Sequence, residues 1–190
     1  MNGYPSRAEA ERLVKEAESC NPGPWGDHCR MAACCAEKIA AAAGMDGEKA
    51  YILGLLHDIG RKFGIRHLGH AYDGWKYMQE LGYDAAARIC LTHSFSLSGL
   101  DGYIGKWDIM AEQASELKRA LDALEYDDYD RLIQLCDCLA TATGVVEIEQ
   151  RMTDVKLRYG SYPQEKWDYN LWLKQYFEEK TGKEIYDVVR

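Results

Sequence analysis

Residues 55–62 read LLHDIGRK, so that a histidine and an aspartate stand side by side at the end of an apolar helical run. Imidazole and carboxylate groups together form the ligand set of a metal that carries out hydrolysis or handles oxygen. Both groups are costly to place where solvent is scarce unless a partner compensates them. The pair His57–Asp58 therefore predicts a metal site.

The other histidines lie near this pair along the chain. All five fall within one 66-residue stretch, and the last 97 residues contain none. At helical spacing, His28, His70, His93 and the downstream Asp137 each share a face with apolar residues, so each is expected to point inward. One such histidine alone is more often a hydrogen-bonded core residue, and one such aspartate is more often a cap or an ion-pair partner. Their combination with the adjacent pair predicts ligands of a shared divalent cation.

Size and charge limit the classes of protein to which the chain can belong. Its 190 residues fit one domain with a helical extension, and 47% apolar and 28% charged residues are ordinary for a globular protein. The net charge of −8 provides no basic face for a nucleic-acid polymer. A small anionic substrate stays compatible with this charge, because a bound metal adds local positive charge.

The termini and cysteines bear on location. The first residues lack the apolar region of a signal peptide, and no apolar run is long enough to cross a membrane. The seven cysteines are odd in number and include no zinc-type C-x-x-C pair. We therefore expect reduced, buried cysteines in a cytoplasmic protein without membrane partners.

Capping residues and helix-breaking glycines predict nine helices and no β-strand, and so an all-α fold with its helices packed around one core. Residues 94–106, rich in glycine and serine, predict an irregular loop. With their caps included, the predicted helices cover residues 6–19, 27–43, 46–59, 72–81, 84–93, 112–124, 127–143, 145–159 and 164–180.

The chain resembles the HD-domain superfamily. His28, the adjacent His57–Asp58 and Asp137 match its H…HD…D signature, and residues 57–60 match the HDIG variant letter for letter. The resemblance covers roughly residues 27–143. It implies an HD-type helical bundle with a metal in its core. Residues 1–190 would then form a single domain, with the C-terminal helices at 145–190 as an extension.

His70 and His93 match the two additional histidines found in the two-metal members of that superfamily. In those members the paired aspartate bridges both ions, so the resemblance assigns the bridge to Asp58. The first ion would be held by His28, His57, Asp58 and Asp137, and the second by Asp58, His70 and His93.

A site so rich in imidazole suits iron, manganese, nickel or zinc better than magnesium. Two such ions can activate a hydroxide for attack on phosphorus. The resemblance thus implies a metal-dependent phosphohydrolase, and we expect its substrate to be a small phosphoester or phosphoanhydride, with nucleotides as the preferred class.

Two alternatives use the same residues. Some HD-domain proteins hold a mixed-valence di-iron pair on six such ligands and oxidise a C–H bond, and ligand identity does not separate the two chemistries. A non-catalytic ligand-binding module with a vestigial site is the second alternative, although the complete ligand set argues against it.

Residues flanking the pair add candidates for catalysis. Arg61 and Lys62 either meet substrate phosphates or complement the dipole at a helix end. His67 is a candidate proton donor or a plain surface residue. In the loop 94–106, Tyr103 and Lys106 are polar candidates for substrate contact.

Two features lie C-terminal to the predicted ligands. Arg151, Asp154 and Arg158 recur at helical spacing, which is typical of an intrahelical charge ladder and also fits a phosphate-facing edge. The aromatic residues Trp167 and Trp172, together with Phe177, predict a packing face or a homodimer interface.

Overall fold

The computed structural model of the protein describes residues 3–97, 99–100 and 102–190. Within these residues the fold is all-α apart from one very small sheet, which confirms the predicted class. The described α-helices are α1 (Arg7–Cys20), α2 (Trp25–Ala42), α3 (Gly47–Leu56), α4 (Leu68–Glu80), α5 (Asp84–Thr92), α6 (Ala111–Asp122), α7 (Asp128–Leu139), α8 (Ile148–Tyr159), α9 (Gln164–Thr181) and α10 (Ile185–Val189).

Side-chain caps start three of these helices where the sequence predicts them. Ser6 accepts a hydrogen bond from the backbone of Glu9, Asp46 accepts one from Lys49, and Asp127 begins α7.

The predicted caps Asp27 and Asp84 are wrong. Asp27 lies inside α2, which already begins at Trp25, and Asp84 is the first residue of α5 rather than its cap.

The largest local difference lies at the His57–Asp58 pair. The predicted helix 46–59 ends at Leu56, and the chain continues as a 3₁₀-helix, Ile59–Phe63. Gly60 allows this 3₁₀-helix to pack closely against the next helix, because a Cβ at residue 60 would lie 2.0 Å from the carbonyl oxygen of His70. α4 begins at Leu68, four residues before the prediction, so His70 is a helical residue.

A second difference follows Asp137. The predicted helix 127–143 ends at Leu139, and Ala140–Thr141 (β1) pairs antiparallel with Gly144–Val145 (β2), although no strand is predicted. Thr141 Oγ1 donates to the carbonyl of Gly144 at 2.8 Å, and Gly144 adopts a φ of +146° that favours glycine. Local side-chain chemistry thus converts the expected last turn into a hairpin.

The helix α2 lies at the centre of the bundle and packs against α3, α7, α9 and α10. Its buried face consists largely of alanine and cysteine, so neighbouring helices approach closely. At Gly54 of α3, a Cβ would lie only 2.9 Å from the Cα of Ala33. This close crossing brings His28 on α2 next to His57 at the end of α3.

The C-terminal helices belong to the same packed body. Phe177 is fully buried, and Lys38 of α2 donates a hydrogen bond to the carbonyl of Val189 in α10. Trp172 remains 42% exposed, and its role in a homodimer stays a prediction. In the described part of the chain, every helix lacks the length and hydropathy that crossing a bilayer requires.

The cysteine prediction is correct only in part. All seven cysteines are free thiols, but Cys20 and Cys34 are exposed rather than buried. Both lie on the outer faces of helices, where nothing packs over them. Residues 98 and 101 of the predicted loop lie outside the described residues.

Candidate metal centre

Five parts of the bundle bring the six predicted ligands to one place. Because each comes from a different element, their proximity depends on how the bundle packs. They are His28 in the first turn of α2, His57 and Asp58 between α3 and the 3₁₀-helix, His70 in α4, His93 directly after α5 and Asp137 near the end of α7.

The first donor group consists of His28, His57 and Asp137. His28 Nε2 lies 3.0 Å from Asp137 Oδ1 and 3.2 Å from His57 Nε2, and His57 Nε2 lies 3.9 Å from the same carboxylate oxygen. Burial raises the pKa of Asp137, but the hydrogen bond from His28 and the charges of the neighbouring imidazoles together outweigh burial, and the pKa falls well below its usual range. The three atoms can therefore contact one cation.

The second donor group consists of Asp58, His70 and His93. Asp58 Oδ1 lies 3.2 Å from His70 Nε2 and 3.5 Å from His93 Nε2, and the two imidazole nitrogens are 3.1 Å apart. The His57 and His93 rings are in edge contact, with centroids 5.1 Å apart, so the two groups adjoin.

Backbone carbonyls determine which ring nitrogens face inward. Nδ1 of His57 donates to the carbonyl of Gly54 at 2.6 Å, and Nδ1 of His93 donates to that of Cys90 at 3.0 Å. Burial lowers the pKa of His57 to about 4, so its imidazole is neutral near pH 7. A neutral ring that donates through Nδ1 presents an unprotonated Nε2, which is the form that binds a metal.

Asp58 provides the test of whether a cation fits this site. Its Oδ1 is buried and has no hydrogen-bond partner among the described residues, whereas its Oδ2 accepts a hydrogen bond from Nε of Arg61. Burial raises the pKa of Asp58, but the charge of Arg61 and the interactions with the neighbouring imidazoles together outweigh burial and hold that pKa well below the usual range. An ionised oxygen beside lone pairs of His70 and His93 needs a positive charge, so the residues fit a metal.

The donor groups border a cavity of about 530 Å³. Arg61 lies in its wall, as does Tyr103 from the predicted loop. From the C-terminal part of the chain, α8 contributes Arg151 and Arg158, and α9 contributes Lys166. The cavity thus combines the candidate metal ligands with several cationic side chains.

Three predicted site residues lie apart from the cavity. Lys62 donates to the hydroxyl of Tyr77 at 3.0 Å, outside the cavity lining. The ring of His67 faces Tyr159, with centroids 6.2 Å apart, while the carbonyl of His67 accepts a hydrogen bond from His70. Lys106 is exposed, and its backbone carbonyl accepts from Leu68.

Sequence reasoning missed three residues at the site. Cys29 is fully buried, and its Sγ lies within 4.8 Å of ligand atoms of His57 and Asp58. Ser94 Oγ lies 3.0 Å from His93 Nε2, and Lys166 Nζ donates to the Ser94 carbonyl at 3.1 Å. Adjacency to His28 and to His93 was the available signal for Cys29 and Ser94, whereas nothing local marked Lys166.

Comparison with known proteins places the chain in a family. Residues 25–142 match the family model described as HD domain, which covers more than half of the chain and contains all six predicted ligands. The chain therefore belongs to the HD domain family, whose members are generally metal-dependent hydrolases. Searches among curated proteins and among solved structures found no match.

Proposed function

We propose that this protein is a metal-dependent phosphohydrolase that acts on a small phosphoester or phosphoanhydride, with nucleotides as the substrate class. Family membership supports the general reaction. The observation that carries the proposal is the juxtaposition of two donor groups with a cationic wall in one cavity. Metal ligands alone serve many chemistries, but cationic side chains beside them favour a phosphate.

The six predicted ligands would hold two metal ions. His28, His57 and Asp137 would hold one divalent ion, and His70 and His93 would hold a second. Asp58 would serve both, because Oδ1 faces the second group while Oδ2 lies 4.0 Å from Nε2 of His57 in the first. The imidazole-rich donor set favours iron, manganese, nickel or zinc over magnesium.

When bound, such ions supply a hydroxide near neutral pH and neutralise charge on a phosphoryl oxygen. Arg61 keeps the Asp58 carboxylate in place through its hydrogen bond, and its guanidinium also lies at the cavity wall. His67 stays a candidate proton donor, because its ring contacts Tyr159, which lines the cavity.

The test combines metal analysis with substrates. Protein purified from cells supplied with iron and manganese is analysed for bound metal. It is then assayed with a chromogenic phosphodiester, nucleoside monophosphates and dinucleoside polyphosphates. His57→Ala and Asp58→Ala are expected to abolish metal binding and hydrolysis. His93→Ala is expected to deplete the second ion and leave the first largely bound, because it removes a ligand of one group only.

The matched control is His67→Ala, which removes a histidine outside both donor groups and is expected to keep the full metal content. Wild-type metal content in all three ligand variants would overturn the assignment. A metal-loaded protein that hydrolyses none of these substrates but consumes oxygen and shows a mixed-valence iron EPR signal would be an oxygenase rather than a hydrolase. Protein that takes up no metal would point to a binding module.

A further inference from the structure

Part of the cavity wall comes from residues outside the HD domain match. That match ends at residue 142, whereas α8 spans Ile148–Tyr159 and α9 begins at Gln164. Arg151, Arg158 and Lys166 from these helices all line the cavity. Three cations from a region beyond the family's matched core therefore face the same space as its metal ligands.

Asp154 places the two arginines of α8. Its carboxylate lies 3.1 Å from the guanidinium of Arg158 and 4.0 Å from that of Arg151. One carboxylate thus sits between two guanidinium groups at helical spacing, as the predicted ladder requires. Both arginines also line the cavity, so the ladder and the phosphate-facing edge are the same feature.

Lys166 adds a cation that no carboxylate neutralises within ion-pair distance in the described part of the chain. Its ammonium donates one hydrogen bond, to the carbonyl of Ser94 at 3.1 Å, and so keeps further donors available. Burial lowers its pKa, and the charges of Cys138 and Asp137 oppose that effect. Lys166 and Asp137 of the first donor group both line the cavity.

The charged side chains that α8 and α9 place around the cavity leave a net positive charge, which favours an anion. Arg151, Arg158 and Lys166 carry three positive charges, and Asp154 carries one negative charge, which leaves two positive charges in excess. Arg151 and His28 of the first donor group both line the cavity. The guanidinium of Arg61, by contrast, is already engaged by Asp58.

We propose that Arg151, Arg158 and Lys166 form a second phosphate subsite, which holds a phosphate group of the substrate other than the one at the metal ligands. The inference rests on the proposed function and narrows it to substrates that carry at least two phosphate groups. Guanidinium and ammonium groups are the side chains that bind phosphate dianions best. Two excess positive charges match one such dianion.

The experiment measures binding rather than turnover. Orthophosphate, pyrophosphate and adenosine 3′,5′-bisphosphate are titrated calorimetrically into the metal-loaded protein, with metal content checked afterwards. The double variant Arg151→Gln, Lys166→Gln is expected to weaken pyrophosphate or the bisphosphate about tenfold or more, and orthophosphate by about twofold or less. A larger loss of affinity for pyrophosphate would indicate that the subsite takes a phosphate adjacent to the one at the metal ligands. A larger loss for the bisphosphate would indicate that it takes a separate phosphate.

Lys156→Gln is the matched control, because Lys156 is an exposed cation of α8 outside the cavity lining. It is expected to bind all three probes like the wild type. Lys166 is largely enclosed, so Arg158→Gln provides a second variant at a side chain that is 47% exposed and tolerates change. It is expected to weaken the doubly phosphorylated probe by about threefold to tenfold.

Equal loss for orthophosphate and the larger probes, or no loss in any variant, would overturn the subsite. This failure differs from failure of the proposed function. If the wild type hydrolyses no phosphoester but the variants still discriminate between the probes, the reaction is wrong and the subsite stands. If hydrolysis occurs and the discrimination is absent, the reaction stands and the subsite is wrong.

Discussion

The two basic residues that follow the His57–Asp58 pair have separate environments. Sequence reasoning leaves Arg61 and Lys62 equivalent, since both follow the pair and both suit a helix end. In the structure Arg61 contacts the buried carboxylate of Asp58, whereas Lys62 turns to Tyr77. The difference arises because consecutive residues of a 3₁₀-helix point about 120° apart.

Replacing Arg61 with methionine is expected to destabilise the metal-free protein by about 3–5 kcal/mol, because it leaves the charge of Asp58 buried and unpaired. Lys62→Met removes a partly buried hydrogen bond to a neutral hydroxyl and is expected to cost about 1 kcal/mol. Urea denaturation of both variants after metal removal measures the difference. Equal losses of unfolding free energy in the two variants would show that Arg61 does not stabilise the buried charge of Asp58.

At the scale of elements, Gly60 determines how closely the 3₁₀-helix approaches α4. An added Cβ would lie 2.0 Å from the carbonyl oxygen of His70 and 2.5 Å from the backbone nitrogen of Gly74. Both are backbone atoms, which no side-chain rotation can move away. The glycine of HDIG is thus explained by packing, which its position in the sequence does not reveal.

Gly60→Ala is expected to destabilise the protein by about 1–3 kcal/mol or more and to lower metal occupancy, since it pushes α4 and His70 away from Asp58. Gly102→Ala is the control, because a Cβ there would make ordinary contacts of 3.5 Å with Leu97. Thermal denaturation and metal analysis of the two variants provide the comparison. A stable Gly60→Ala protein with full metal content would contradict this account.

A buried charge network joins α5 to α7. Asp130 is fully buried and accepts hydrogen bonds from Arg88 at 3.0 Å and from Thr92 at 2.8 Å. Thr92 immediately precedes His93, and Asp130 lies on the helix that carries Asp137. The network therefore sets the relative position of one ligand from each donor group.

Arg88→Met is expected to cost about 3–5 kcal/mol in unfolding free energy, because the charge of Asp130 would remain in the core without its partner. Arg12→Gln breaks an exposed pair with Glu16 on α1 and is expected to cost about 1 kcal/mol or less. Denaturant titration distinguishes the two. A loss for Arg88→Met no larger than that for Arg12→Gln would contradict a positioning role for the network.

At the scale of the whole molecule, the buried imidazoles link stability to pH. Burial lowers the pKa of His57 to about 4 and that of His70 to about 3, from an ordinary value of 6.5. Below pH 6.5 the unfolded chain therefore binds protons that these folded residues exclude. Their contribution is complete above that pH and is lost as the pH falls toward the folded pKa values.

The metal-free protein is accordingly expected to lose a few kcal/mol of stability between about pH 6.5 and about pH 4, since each unit of pKa shift corresponds to about 1.4 kcal/mol. His28 acts in the opposite direction, because Asp137 outweighs burial and raises its pKa. Urea denaturation across this range measures the slope. A flat profile would show that the imidazoles titrate normally.

The order of amino acids alone was sufficient for the helical class and for the chemical types of the candidate metal donors. Helix caps and apolar periodicity act over a few residues, and a His-Asp pair in an apolar run is costly unless a cation compensates it. Tertiary packing was needed to establish which nitrogens face one another, why Gly60 is a glycine, and how α8 and α9 bring arginine and lysine to the cavity. These features depend on contacts between residues far apart in the chain, and local preferences do not specify such contacts.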